Sequence, residues 1–363
     1  MQTTTPAINW KQISSLAALN AAVAISWIAY SNYQVRVLEK FQLMDLGFFL
    51  VAAQGAIMVL IPPLAGLVGD YMIRRNSNYF VVYTVGISVT AMVFMIVSFT
   101  LGNSYILPLR AAFPFMIVLW LISMNILHSP ANSMVELFAP AQELPKVMAL
   151  ITVTTGIIMA LEPIIIPIID YLGAPLTFLT GGVLLIVTGY IFRRTTANIE
   201  LKRKVNETSE RSRFAVVILA GLLFGILMGL VNNDAFVWIT NEKFSAYSTG
   251  LFGTRHFVSI ILAVSALLAF PASSFAARRG LMFSLIVAFL TGVTGFMILW
   301  LPAFTFFNFT GCLLLGAGIS LAAVSAFPLA LNNLEPRHIT FGTGIFFGCS
   351  ELFTGILNLC FFS

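Results

Sequence analysis

Eleven apolar stretches, each of about 20 residues or more and separated by short hydrophilic turns, fill nearly all of this 363-residue chain. They fall at about 13–36, 46–69, 79–101, 111–136, 147–169, 174–193, 214–238, 249–274, 281–301, 304–331 and 339–362. A stretch of about 20 apolar residues is long enough to cross the hydrocarbon of a bilayer. Lipid offers backbone amides no partners, so each stretch must be a helix that satisfies its own hydrogen bonds. Charged residues make up 9% of the chain, against about a quarter in soluble domains. The expected fold class is therefore all-α, a polytopic membrane protein with about 11 transmembrane helices. The first stretch is too long for a signal-peptide core and lacks a small-residue cleavage site, so it is expected to be retained.

The basic residues then set orientation. The pairs Arg74–Arg75, Arg193–Arg194 and Arg278–Arg279, with Lys11, Lys146, Arg337 and the basic run 202–213, all fall on the side of the amino terminus. Arg36, Lys40, Arg110, Lys243 and Arg255 are left for the opposite side. An excess of this kind marks the cytoplasmic side, so the amino terminus is expected in the cytoplasm, and the net charge of +5 is read as topology rather than as a nucleic-acid surface. Cys312, Cys349 and Cys360 lie inside predicted helices as small packing residues. No disulfide framework, metal site or cofactor is expected.

The chain also repeats itself. Glu39-Lys40-Phe41 with Gly47 recurs as Glu242-Lys243-Phe244 with Gly250, at the outer ends of spans 1 and 7. Arg74-Arg75 recurs as Arg278-Arg279 after spans 2 and 8. Ile151-Thr152 with Thr155-Gly156-Ile157 recurs as Ile339-Thr340 with Thr343-Gly344-Ile345 in spans 5 and 11. Three matches in one helix order predict two parallel halves, the architecture of one large class of carriers. The expected division is 1–193 as an amino-terminal six-helix bundle, 194–213 as a cytoplasmic linker, and 214–363 as a carboxy-terminal bundle of five helices. On this repeat a twelfth helix would follow residue 363.

At the cytoplasmic end of span 2 stands Gly66-Leu67-Val68-Gly69-Asp70-Tyr71-Met72-Ile73-Arg74-Arg75. This resembles the loop motif of the major facilitator superfamily: Gly, three residues, Asp, a basic residue, a spacer, Gly and two basic residues. Gly66, Asp70, Arg74 and Arg75 match, while Tyr71 and Ile73 stand where the family has its first basic residue and second Gly. The resemblance implies a gate. Asp70 would cap neighbouring amides, and Arg74 and Arg75 would bind carboxylates or carbonyls of the other half, latching the cytoplasmic face; the plainer reading is that the two arginines only anchor topology. Two departures make a drug/proton antiporter less favoured. Arg110 lies at the outer end of span 4 rather than in its middle, and Gly156 is followed by Glu162-Pro163 rather than by a Gly-Pro pair.

Ionisable groups inside a membrane are costly and so are functional candidates. In span 4, Asn125, His128, Asn132 and Glu136 are spaced to share one stripe of about 80°. Span 5 carries Thr155 and Glu162 seven residues apart, and span 11 carries Thr340, Glu351, Thr354 and Asn358 on one face. Gln34, Asn125, His128, Asn132, Asp234 and Asn333 are the substrate-binding candidates. Glu162 and Glu351 are coupling candidates, since a dry site favours the neutral, proton-carrying form of a carboxyl group; hydrogen bonding to substrate and a structural role with Arg255, His256 or backbone are the alternatives. Trp27 and Trp238 are open to two readings, stacking on a flat ligand or lying at the lipid interface.

No Walker A loop, voltage-sensor repeat or pore signature occurs in the chain, and its carboxylates are dispersed rather than gathered at one membrane lip. An enzyme is not expected. The resemblance implies transport in an inner or plasma membrane: a secondary transporter, acting as a monomer, of a small organic solute, with proton-coupled uptake as the leading mode. Efflux of amphiphilic compounds and a non-transporting receptor or scaffold are the alternatives.

Overall fold

Backbone that cannot bond to water has to bond to itself, and the chain does so as helix after helix. The computed structural model describes residues 8–40, 46–76, 80–103, 107–197, 211–231, 236, 255–301 and 305–360. Every regular element among the described residues is helical: α1 (Trp10–Lys40), α2 (Gly47–Asn76), α3 (Phe80–Gly102), α4 (Leu107–Ser133), α5 (Val135–Phe138), α6 (Leu144–Ala160), α7 (Glu162–Thr196), α8 (Phe214–Gly229), α9 (Arg255–Arg279), α10 (Leu281–Leu299), α11 (Thr305–Asn332) and α12 (Ile339–Cys360). Among the described residues, ten segments are long and apolar enough to cross a membrane, and the shorter apolar α8 joins them.

The expected boundary between spans 5 and 6 falls inside α7. Gly173 sits at φ 74° and ψ 161°, a region open essentially to glycine alone. The contacts along α1 show the chain reversing there. Asp170 meets Arg36 and Asn32 near one end of α1, whereas Thr195 meets Gln12 and Ser15 near the other. So α6 and the first part of α7 make one bent pass, and the rest of α7 makes the next. Nothing lies within 4 Å of where a Cβ would stand at Gly173, which leaves backbone strain as the whole effect of a substitution. Gly173→Ala is expected to cost about 1–3 kcal/mol, read as a lower thermal-unfolding midpoint in detergent.

Two spans that the sequence reads as continuous are interrupted. Span 4 does not run unbroken to residue 136: the Ser133 hydroxyl donates to the Pro130 carbonyl at 3.0 Å, the Met134 amide bonds the Ala131 carbonyl at 3.3 Å, and the helix gives way to a turn at Met134 before α5. Glu136 follows this turn, on α5. In span 5 the backbone at Leu161 (φ −84°, ψ 3°) separates α6 from α7 just ahead of Pro163, so Thr155 and Glu162 stand on different helical segments. The helix of α7 also continues to Thr196, slightly past the expected start of the linker; residues 198–210 lie outside the described residues, as does the outer part of span 7 beyond 231 apart from Phe236.

Of the two helix sets, α1–α7 and α8–α12, helices α1, α3, α4 and α7 pack mainly within the first, and α8, α10 and α11 within the second, while α2, α6, α9 and α12 form the divide. The principal contacts between the two sets are α2 with α12, α6 with α9 and α11, and α4 with α12. The α2–α12 seam is close along much of its length. A Cβ on Gly344 would overlap the Pro62 carbonyl and stand 2.6 Å from Pro63 Cα. A Cβ on Gly66 would overlap the Thr340 carbonyl and stand 2.8 Å from Phe341 Cα. Helices in lipid lack a hydrophobic drive toward each other and associate through this kind of small-residue packing.

Candidate functional site

A cavity of about 220 Å³ lies between the two sets of helices. Its wall draws on seven helices: Asn20 of α1, His128 and Asn132 of α4, the run Met148 to Met159 of α6, Phe224 and Met228 of α8, Leu262 and Ser265 of α9, Ile319, Ala323 and Phe327 of α11, and Phe347 of α12. The polar edge is pre-arranged. Asn20 Nδ2 donates to Asn132 Oδ1 at 3.1 Å and to the Leu16 carbonyl at 3.0 Å, and Asn132 Nδ2 donates to the His128 carbonyl at 2.9 Å. The His128 ring stacks on Phe347 across the divide, centroids 4.3 Å apart at 25°. Phe347 in turn lies 5.3 Å from Phe327, centroid to centroid.

His128 and Asn132 are thus brought together on this wall, and the remaining described candidates are not part of it. The Asn125 side chain is buried and donates to its own helix at the Leu121 carbonyl, 2.9 Å away; it is not part of the described cavity wall. Gln34 faces a small recess within the first helix set, beside Tyr30, Tyr33, Trp120 and Phe178. Asn333 lies past the end of α11 in a polar recess with Arg211, Arg213 and Glu335, where its carbonyl accepts the Arg213 amide at 2.9 Å. In each case periodicity gives a face of the helix without saying which neighbour covers it. Trp27 packs edge-on against Tyr30 and Trp120. Asp234 and Trp238 lie outside the described residues, as do the side chains of Arg110, Arg255 and His256. Glu162 and Glu351 are both half-buried, and neither is in the described wall. Glu351 follows Phe347 by one helical turn, about 40° around α12 and roughly 6 Å along it.

Below the cavity, at the end of the bundle that carries Arg74, Arg75, Arg278 and Arg279, the two helix sets are tied by direct hydrogen bonds. The buried Asp70 carboxylate accepts the Thr340 amide at 3.2 Å and the Phe341 amide at 2.8 Å. These belong to the first turn of α12, where amides lack intrahelical partners and the helix dipole favours a negative charge. From α4, the Ser129 hydroxyl donates to the Thr340 carbonyl at 2.6 Å, and Ser133 bonds the Thr340 hydroxyl at 3.4 Å. Arg74 and Arg75 are exposed, and Arg75 donates to Tyr71 of its own helix at 3.3 Å. Among the described contacts the cross-bundle bonds come from Asp70 and two serines, not from the arginines as expected. The α6–α9 seam at the same end has no such carboxylate among the described residues; Ala149, Ala269 and Ala276 cluster there with Val324.

Sequence reasoning missed Ser129 and Ser133, the methionine and phenylalanine wall, and the packing role of the seam glycines, although it singled out Gly66 and Gly344 on other grounds. The last had a readable signal in span 11, the four-residue spacing of Gly344 and Gly348; the first lay one position away from two residues already singled out.

A family model described as Major Facilitator Superfamily matches residues 13–357. Among curated proteins none matches the sequence. Solved structures similar in fold include the human organic anion transporter MFSD10 (TETRAN), at TM-score 0.74 and 14% identity over 98% of this chain and 93% of that one. The E. coli fucose:proton symporter FucP gives TM-score 0.61 and 12% identity over 95% and 89%. The nucleoside transporter NupG gives 0.56 and 13% over 96% and 90%. At such identities the likeness is one of fold.

Proposed function

Since the chain belongs to the major facilitator superfamily, we propose that it is a secondary active transporter that moves a small organic solute by alternating access. The observation that carries this reading is the cavity walled by both helix sets. A solute held there touches residues of 1–193 and of 214–363 at once, so relative rocking of the two would expose it to one side and then the other, with 194–213 as the tether. The basic end faces the cytoplasm in this reading and the membrane is an inner or plasma membrane. The Asp70 contacts hold that end shut, so the conformation described is closed toward the cytoplasm.

Coupling to protons, in the direction of uptake, is assigned to Glu162 and Glu351. They stand one on each helix set, half-buried in membrane-crossing segments, where a carboxylate is expensive to keep charged. Reconstituted protein carrying Glu162→Gln and Glu351→Gln together is expected to keep solute counterflow, which needs no driving force, and to lose at least tenfold of uptake driven by an imposed proton gradient. Gradient-driven uptake at the unsubstituted rate would remove both residues from coupling.

A further inference from the structure

The cavity wall is divided by polarity as well as by helix set. Its hydrogen-bonding side chains come mainly from the first set: Asn20, His128, Asn132, Thr152 and Thr155. The second set contributes Phe224, Met228, Leu262, Ile319 and Phe327, with Ser265 as its one hydroxyl. Among the described lining residues there is no Asp, Glu, Lys or Arg, and His128 is the single titratable group. An ion brought into such a wall would leave its hydration shell without meeting a countercharge, which is strongly unfavourable. A neutral ligand with one hydrogen-bonding edge loses nothing comparable, because its polar edge exchanges water for the asparagine and threonine groups while its apolar face is buried. Size is bounded too. A dry protein cavity of about 150 Å³ takes a benzene molecule, so 220 Å³ holds a ring bearing a small polar group, about nine non-hydrogen atoms on the same scale.

We propose that the transported solute is an uncharged, ring-sized amphipath that turns its hydrogen-bonding edge to α1, α4 and α6 and its apolar face to α8, α9 and α11. This rests on the transport reading above and adds the substrate class to it. Glu351, one turn beyond Phe347, makes an organic cation the strongest rival.

Three isosteres separate the cases: benzamide, benzoate and benzamidinium share one shape and differ in charge. Titrated against the full chain in lipid nanodiscs by ligand-observed NMR at neutral pH, benzamide is expected to bind at least tenfold more tightly than either ion. Asn132→Leu should weaken benzamide at least tenfold by removing the polar edge, and Ala323→Leu should do the same by filling the apolar side, so a folding defect in one variant leaves the other. Either ion binding as tightly as benzamide, or none of the three binding, overturns the proposal; benzamidinium winning would place Glu351 at the ligand. A separate assay isolates the transport reading. With Cys312, Cys349 and Cys360 replaced by alanine, Thr155→Cys is labelled from each face of sealed vesicles with a membrane-impermeant thiol reagent. Labelling from both faces alongside a lost preference for the neutral probe removes the substrate class alone; labelling from one face only removes alternating access itself.

Discussion

Gly344→Leu is expected to slow transport by at least tenfold and to lower the thermal midpoint of the purified protein by several degrees, whereas Gly55→Ala on the same seam leaves both close to the unsubstituted values. The contrast follows from what each new Cβ meets. At Gly344 it meets the Pro62 carbonyl and Pro63 Cα, both backbone, so no rotamer change relieves the overlap and α2 and α12 must part. At Gly55 the nearest atom, Gly355 Cα, lies 3.6 Å away, an ordinary van der Waals contact. Overpacking a close interface typically costs about 1–3 kcal/mol, and a longer side chain driven against backbone sits at the upper end of that range. A state destabilised by about 1.4 kcal/mol loses tenfold in population. The readouts are initial rates of counterflow in proteoliposomes and unfolding in detergent. Gly344→Leu with unchanged rate and midpoint would mean that the α2–α12 seam is not this close in the membrane.

The same glycine shows how far the sequence can be read. Span positions were legible because an apolar run of membrane length is a one-dimensional signal. Asp70 was legible as a capping carboxylate from the motif it belongs to, although α2 continues past it to Asn76 and the amides it caps are those of the helix facing it across the seam. The repeat pairs Gly156 with Gly344, and in the structure both lie at contacts between the two helix sets: Gly156 against Ala266, with a Cβ 3.1 Å from Ala266 Cβ, and Gly344 against Pro62. The motif's second copy was less informative, since Ser274 stands four residues before Arg278 just as Asp70 stands before Arg74, so a carboxylate clasp exists at one seam and small apolar side chains fill the other. Polar positions were legible as a stripe but not as a destination. His128 and Asn132 reach the cavity while Asn125, on the same helix, bonds to its own backbone, and Gln34 faces an aromatic recess. A membrane helix is apolar toward lipid and toward its neighbours alike, so its pattern lacks the one-sidedness that tells a soluble helix which way to face. Short breaks at Leu161 and Met134 place Glu162 and Glu136 on other helical segments than the polar positions the sequence had grouped with them.

Asp70→Ala is expected to open the basic end. The substitution leaves the Thr340 and Phe341 amides at the first turn of α12 without the carboxylate that receives them at 3.2 and 2.8 Å. A hydrogen bond to a charged group contributes about 1.5–3 kcal/mol, and a negative charge at a helix amino terminus up to about 2 kcal/mol when partly buried. Against these stands the cost of keeping a carboxylate out of water, and the Ser129 bond to Thr340 remains in the variant. A net loss of about 3 kcal/mol for the closed state, roughly a hundredfold in population, is the balance of these magnitudes. Asp70→Asn keeps an acceptor oxygen without the charge and falls between, while Ser129→Ala removes one neutral hydrogen bond and shifts the balance by about 1 kcal/mol. The order Asp70→Ala, Asp70→Asn, Ser129→Ala should therefore appear in the rate at which Thr152→Cys, on the cavity wall, is labelled by an impermeant thiol reagent from the basic end. Ser129 and Ser133 alternate on α4 with the cavity residues His128 and Asn132, so a solute pulling on one pair moves the other. Bound solute should accordingly change the labelling rate in the unsubstituted latch and change it less once Asp70 is gone. Labelling that is equally slow in all three variants would mean that Asp70 holds α12 in place without governing access to the cavity.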